Sequence, residues 1–129
     1  EFFVARSDAP AALEALRAIA PRFAALVQIT EVRTVAADAL WLSGAHGRET
    51  VAIHFTWHPD RARVEAALPA IEAALAPFGA RPHWGKLFTA DAGELADRFP
   101  RWADFRALAE RMDPTGRFRN PFLAAKLGR

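Results

Sequence analysis

A chain of 129 residues is the size of one ordinary domain, able to bury about two-thirds of the surface its unfolded form exposes, so a self-supporting core is expected. Apolar residues at 52% and charged residues at 25% exclude a disordered chain, and no apolar run approaches the roughly 18 to 20 residues of a membrane span. The absence of Cys removes disulfides, thiolate catalysis and Cys-type zinc sites, and makes the cytoplasm the expected compartment.

The net charge of +2 divides unevenly: residues 98–129 carry 8 basic and 3 acidic groups, against 9 and 12 in residues 1–97. The basic residues of the tail are spread along a helix and a turn instead of being clustered, which argues against a nucleic-acid partner. The start, Glu1-Phe2-Phe3-Val4, has neither an initiator Met nor the basic flank and apolar stretch of a signal peptide. A piece of a longer polypeptide is the expectation.

Phe2-Phe3-Val4 reads as a short strand. Ser7 or Asp8 is expected to cap a helix with Pro10 in its first turn and Leu13, Leu16, Ile19, Ala20 and Phe23 at helical spacing. Leu26 to Val35 is rich in β-branched residues and predicts a second strand. A turn-prone stretch around Ser43-Gly44-Ala45-His46-Gly47 separates it from a third, Val51 to Trp57. Pro59-Asp60 opens another helix with Val64, Leu68, Ile71, Leu75 and Phe78 on one stripe; Pro69 inside it predicts a kink or a late start, and Gly79 ends it. Arg81 to Phe88 reads as a last strand.

Strand, helix, strand, strand, helix, strand is the split βαβ or ferredoxin-like order, an α+β class in which two helices cover one face of an antiparallel sheet. The other face is then bare. Residues 1–90 make this unit. From residue 91 the pattern changes to a helical segment and an irregular tail: Asp91 and Glu94 form a capping-box signature, Leu95, Phe99, Trp102, Phe105, Leu108 and Met112 recur at helical spacing, and Asp113-Pro114-Thr115-Gly116 is a turn.

Alternation along strands puts Glu31 with Arg33, and His54 with Thr56, on the bare face. On the first of these strands Gln28 and Thr30 would then face the helices, a conflict that a bulge would resolve. Lys86 follows Gly85, where a missing side chain lets a backbone or flat ligand approach. It is one of two Lys in a chain whose other 15 basic residues are Arg, and an ammonium offers a compact charge with a movable pKa. On spacing alone, Glu31 and Arg33 equally read as a surface ion pair worth about 0 to 1 kcal/mol, His54 as a half-buried strand histidine and Lys86 as a solvated strand end. His54 and His58 are four apart on a strand, so no metal site is expected, and no glycine-rich phosphate loop or paired Ser and His is visible.

Four segments together carry a resemblance: Glu31-Val32-Arg33-Thr34-Val35-Ala36-Ala37-Asp38, Ala52-Ile53-His54-Phe55-Thr56-Trp57, Arg81-Pro82-His83-Trp84-Gly85-Lys86, and Asp113-Pro114-Thr115-Gly116-Arg117-Phe118-Arg119-Asn120-Pro121-Phe122. In this order and spacing they resemble the carboxy-terminal half of alditol oxidases, which stand with the aldonolactone oxidases in the vanillyl-alcohol-oxidase-type flavoprotein family. The resemblance implies a cap domain whose open sheet face closes over FAD, the FAD being held by an amino-terminal domain of the same polypeptide.

It further implies substrate-binding roles for Glu31, Arg33, Thr56 and Lys86 toward polyol hydroxyls. Lys86, Arg33 and His54 become the catalytic candidates, and His54 and Asn120 lie near the flavin. The tail from Asp113 to Phe122 is expected to pack on the flavin domain. A lactone oxidase or dehydrogenase of the same family is the alternative substrate class. A ferredoxin-like nucleic-acid or effector module lacks the basic-glycine-aromatic signature on its third strand. A dimerisation module is disfavoured by the charge of Glu31, Arg33 and Lys86, since interface cores are depleted of charge.

Overall fold

The structure, a computed structural model, describes residues 1–128. Four strands, β1 (Phe2–Ala5), β2 (Val27–Val35), β3 (Thr50–Trp57) and β4 (Arg81–Pro82), form one antiparallel sheet in the order β2-β3-β1-β4. Helix α1 (Ala9–Ile19) joins β1 to β2, and α2 (Arg61–Leu75) joins β3 to β4. Each helix therefore crosses over a strand inserted between its own two, which is the doubled split βαβ of the ferredoxin-like fold.

The helix-side core follows from strand alternation. Phe2 and Val4 of β1 and Val51, Ile53 and Phe55 of β3 pack with Ala12 and Leu16 of α1 and Ile71 and Leu75 of α2. Phe23, from the turn after α1, adds edge-on ring contacts to Phe55 and Trp57. After β4 the chain makes α3 (Ala92–Arg98), α4 (Trp102–Met112) and α5 (Pro121–Leu127). Leu95, Phe99, Trp102 and Leu127 continue the same apolar cluster, with Trp84 packed against it. No helix among the described residues is long and apolar enough to cross a membrane.

Several local expectations are corrected. Neither Ser7 nor Asp8 caps α1 with its side chain; a 3-10 turn, Arg6–Asp8, leads into the helix instead. Helix α2 starts at Arg61, well ahead of Pro69, and continues to Leu75 with Pro69 on its solvent side, where the carbonyl left without a donor can meet water. Gly79 ends this stretch in the left-handed region, φ 55°, as a glycine allows.

The last strand is only Arg81–Pro82. Pairing continues only as far as His83 N–H on the Glu1 carbonyl (2.9 Å), and a turn closed by Lys86 N–H to the His83 carbonyl (3.0 Å) then bends the chain away from the sheet. The bulge in β2 is present, at Gln28, between the pairs Val27–Trp57 and Ile29–Thr56. It turns Val27 toward the core but leaves Thr30 and Val32 on the helix side, where they remain exposed because β2 is an edge strand; Val32 is 52% exposed.

The face away from the two helices is only half bare. Residues 36–49 fold over its lower end, above Phe3 and Ala52. A Cβ at Gly44 would come within 2.3 Å of the Phe3 ring, so only glycine permits this approach. Arg81 secures the covering loop, its guanidinium donating to the carbonyls of Gly44 (3.2 Å), His46 (2.9 Å) and Arg98 (2.8 Å). What stays open is the end carrying Glu31, His54 and Thr56.

Candidate active site

The register of β2 on β3 sets Glu31 directly opposite His54, Arg33 opposite Ala52, and Ile29 opposite Thr56. Cross-strand partners share a face, so Glu31, Arg33, His54 and Thr56 stand together on the open side. Arg33 pairs with the Glu31 carboxylate, and Thr56 Oγ1 lies 3.3 Å from His54 Nε2.

Glu1, which extends β1 and accepts at its carbonyl from His83 N–H (2.9 Å), completes the group from the other flank. Its Oε2 lies 2.9 Å from His54 Nδ1 and 4.0 Å from Arg33 Nη1. The side chains of Glu1 and His54 are only 10% and 12% exposed, so water competes little for this contact. Reading the sequence alone missed Glu1. The only available signal was that it sits two residues before Phe3, and that becomes informative only once β1 is known to pair with β3.

A cavity of about 530 Å³ opens beside these residues. His54 and Thr56 from β3, Lys86 from the turn after β4, and Glu1 supply its polar lining, while Trp84, Leu87 and Phe122 supply apolar surface. Glu31 and Arg33 border the group through Glu1 and His54 but do not line the cavity. Lys86 reaches the cavity from a turn, not from a strand. Gly85 serves that turn: its N–H donates to His83 Nδ1 (3.0 Å), and a Cβ there would press on the His83 ring at 3.3 Å.

Trp84 is held by its indole N–H to the Leu42 carbonyl (3.0 Å) and stacks on Trp102, which fixes the apolar wall. Trp84 and Phe122 were not anticipated as lining. Asn120 lies outside the lining; its Oδ1 accepts from Leu123 N–H (2.8 Å) at the start of α5, which leaves its amide NH₂ unused by that cap. Among the described residues no cluster of His, Asp or Glu is built to hold a metal ion.

A dry wall, an ammonium, a hydroxyl and a carboxylate-backed imidazole together can hold several hydroxyl groups in fixed orientation and stabilise negative charge on an oxygen. Residues 1–126 match the family described as D-arabinono-1,4-lactone oxidase. The chain is 50% identical over 123 residues to an alditol oxidase of a Streptomyces species, an alignment covering 95% of this chain and 30% of the relative. It is 36% identical over 100 residues to the L-gulono-1,4-lactone dehydrogenase of Mycobacterium tuberculosis, covering 76% of this chain and 23% of that protein. Against the L-gulonolactone oxidase of Mus musculus it is 30% identical over 97 residues, 72% of this chain and 22% of the relative. The chain thus spans less than a third of the relatives it matches.

Proposed function

This chain belongs to the D-arabinono-1,4-lactone oxidase family, and on that premise we propose that it is the substrate-side part of an FAD-dependent oxidoreductase acting on the CH–OH group of alditols. The substrates are open polyols of the xylitol or sorbitol type, oxygen is the acceptor, and the products are an aldose and hydrogen peroxide. The observation that carries the reading is the single cavity that His54, Thr56 and Lys86 line from two separate segments. The higher identity to the alditol oxidase than to the lactone enzymes favours an open polyol over a lactone.

The residues present suit one side of a flavin. Trp84 and Phe122 give the cavity apolar surface against which a flat ring system can lie, and His54 is the polar group of the lining that would border it, with Asn120 just outside the lining. No glycine-rich loop is available to cradle a pyrophosphate. On this reading an amino-terminal domain of the same polypeptide grips the dinucleotide, in keeping with the greater length of the relatives. FAD bound there supplies the acceptor for hydride leaving the alcohol carbon.

The chain's own residues orient the polyol and stabilise charge. Lys86 donates to the reacting hydroxyl, whose oxygen gains alkoxide character as its proton leaves, and in a site closed from water such a donor is worth most. Thr56 meets a hydroxyl further along the polyol, and the Glu31–Arg33 pair, outside the cavity, meets a hydroxyl that projects past its rim, so that together they decide which end reacts.

The test is Lys86→Met in the intact enzyme. Methionine keeps length and apolar bulk but cannot donate. Steady-state oxidation of xylitol should fall by roughly a hundredfold to a thousandfold, about 3 to 4 kcal/mol, with flavin absorbance unchanged. The exposed Arg17→Met, paired only with Glu14 on α1, should leave the rate as it was. A Lys86→Met enzyme that keeps its flavin and turns over within about threefold of wild type would overturn the role given to Lys86.

A further inference from the structure

We infer that His83 is a positioning residue of this site: its ring Nδ1, by accepting from the Gly85 N–H, locks the turn that delivers Lys86 to the cavity. The role of Lys86 is taken from the function proposed above, whereas the hydrogen bond that locks the turn is independent of it.

Residues 83–86 form a four-residue turn closed by Lys86 N–H on the His83 carbonyl at 3.0 Å. That bond ties the two ends and leaves the middle peptide, between Trp84 and Gly85, free to take either of two orientations. Type I and type II turns differ by a flip of this peptide, and type II needs a positive φ at the third residue, where glycine is favoured. The third residue here is Gly85, so the sequence permits both forms. In the structure Gly85 stands outside the left-handed region, so the type II form is not the one adopted. What holds the peptide is the bond from its N–H to His83 Nδ1, 3.0 Å. An acceptor on the first residue of a turn reaching the N–H two residues on is the arrangement that Asn and Asp side chains commonly make.

The His83 ring is itself held. It stacks on Phe3 with ring centroids 5.9 Å apart and planes at 21°, and Phe3 in turn lies under the loop at Gly44. Trp84 is fixed separately, by its indole N–H on the Leu42 carbonyl and by its stack on Trp102. Both flanks of the middle peptide are thus anchored, and its orientation rests on His83. An imidazole nitrogen that accepts carries no hydrogen, so the ring proton sits on Nε2. Gly85 is exposed, so water would take its N–H if the ring did not. Loss of the acceptor therefore costs the fold little but frees the flip, which changes the direction in which Lys86 leaves the turn. His83 acts on the reaction through Lys86 without touching the substrate.

The experiment uses the intact protein. His83→Phe keeps a ring against Phe3 but has no acceptor, whereas His83→Asn keeps the acceptor and gives up the ring. For xylitol, kcat should fall about fivefold to tenfold in His83→Phe, the size of one neutral hydrogen bond, with KM within about twofold, because Lys86 acts on charge in the transition state. His83→Asn should keep at least about a third of the wild-type kcat. In a Lys86→Met background, His83→Phe should lower the rate by less than about a further twofold, because it acts through Lys86. Equal losses in the Phe and Asn variants, or losses that multiply in the double variant, would overturn the inference. A second measurement needs no folded Phe variant: ¹⁵N-labelled histidine in wild type, with the His83 ring signals identified by their loss in His83→Asn. At slightly alkaline pH, Nδ1 should be unprotonated and Nε2 protonated, and a proton on Nδ1 would overturn the inference. An intact protein that oxidises no alditol would remove the function proposed above, while the ring signals would still decide whether His83 locks the turn.

Discussion

Arg81 is a buried guanidinium without a carboxylate, and it satisfies itself on the carbonyls of Gly44, His46 and Arg98. Burial, reinforced by the nearby charge of Arg48, pushes its pKa down to about 10, which still leaves it protonated at pH 7. Its position on the open face next to Phe3 makes it the tie between sheet, covering loop and α3. Arg81→Met should lower stability by about 3 kcal/mol, since three sheltered carbonyls lose a charged donor at once. The fall should appear as a lower urea midpoint, and the Ala45 and His46 amides should exchange faster than in wild type. A midpoint within the error of wild type would mean that the loop is held by Gly44 and Trp84 alone. The two lysines divide in the same way between structure and site: Lys86 is exposed at the cavity, whereas Lys126 is used inside the fold.

At the level of elements, the short segment 88–90 is clamped from both sides. Glu72 of α2, buried against it, accepts the N–H groups of Thr89 and Ala90, and Lys126 of α5 donates to the carbonyls of Phe88, Thr89 and Ala90 while lying over the Phe88 ring. A compact ammonium can serve three converging carbonyls, which the flat fork of an arginine does less well. The clamp fixes α5 and with it Phe122, the cavity wall. Lys126→Met should therefore cost about 2 kcal/mol, seen as a lower denaturation midpoint, and should speed hydrogen exchange at Leu123 to Leu127 more than at β1 or β3. The capping box at α3, Asp91 Oδ1 accepting from Glu94 N–H and Glu94 Oε2 from Asp91 N–H, each at 2.9 Å, starts the helical segment as its spacing predicted.

For the whole molecule, one apolar cluster runs from the sheet through α1 and α2 to α3, α4 and α5, while apolar side chains are left over on the far side of α4 and α5. Met112 and Phe118 are 72% and 79% exposed, and they border a groove of about 310 Å³ shared with Phe105, Leu123 and Leu127. Such a patch is unusual for a free surface. The chain of residues 1–129, expressed alone, is expected to fold on its own core, to be colourless, and to release added FAD on gel filtration. A flavin absorbance band that stays with the protein would show that the dinucleotide is gripped from this side.

Local chemistry made much of this legible before any coordinates. The alternation Val51, Ile53, Phe55 against Ala52, His54, Thr56 assigns faces by itself, because a strand has period two. The order of strands and helices implies the split βαβ, because a short connection cannot join parallel neighbours. Residue spacing also placed Glu31, Arg33, His54 and Thr56 on one face, and the order and spacing of four segments pointed to the family that the chain matches from 1 to 126. Tertiary structure alone decided the rest. The cavity joins β3 to a turn some thirty residues later in the chain, and whether Lys86 arrives from a strand or a turn depended on the turn from His83 to Lys86 ending the pairing early. Glu1 meets His54 only through the β1–β3 register, and the loop over Phe3 and Ala52 closes half of a face that periodicity left open. Periodicity records which way a side chain points from its own strand; which distant segment stands opposite it is set by pairing and packing across the whole chain.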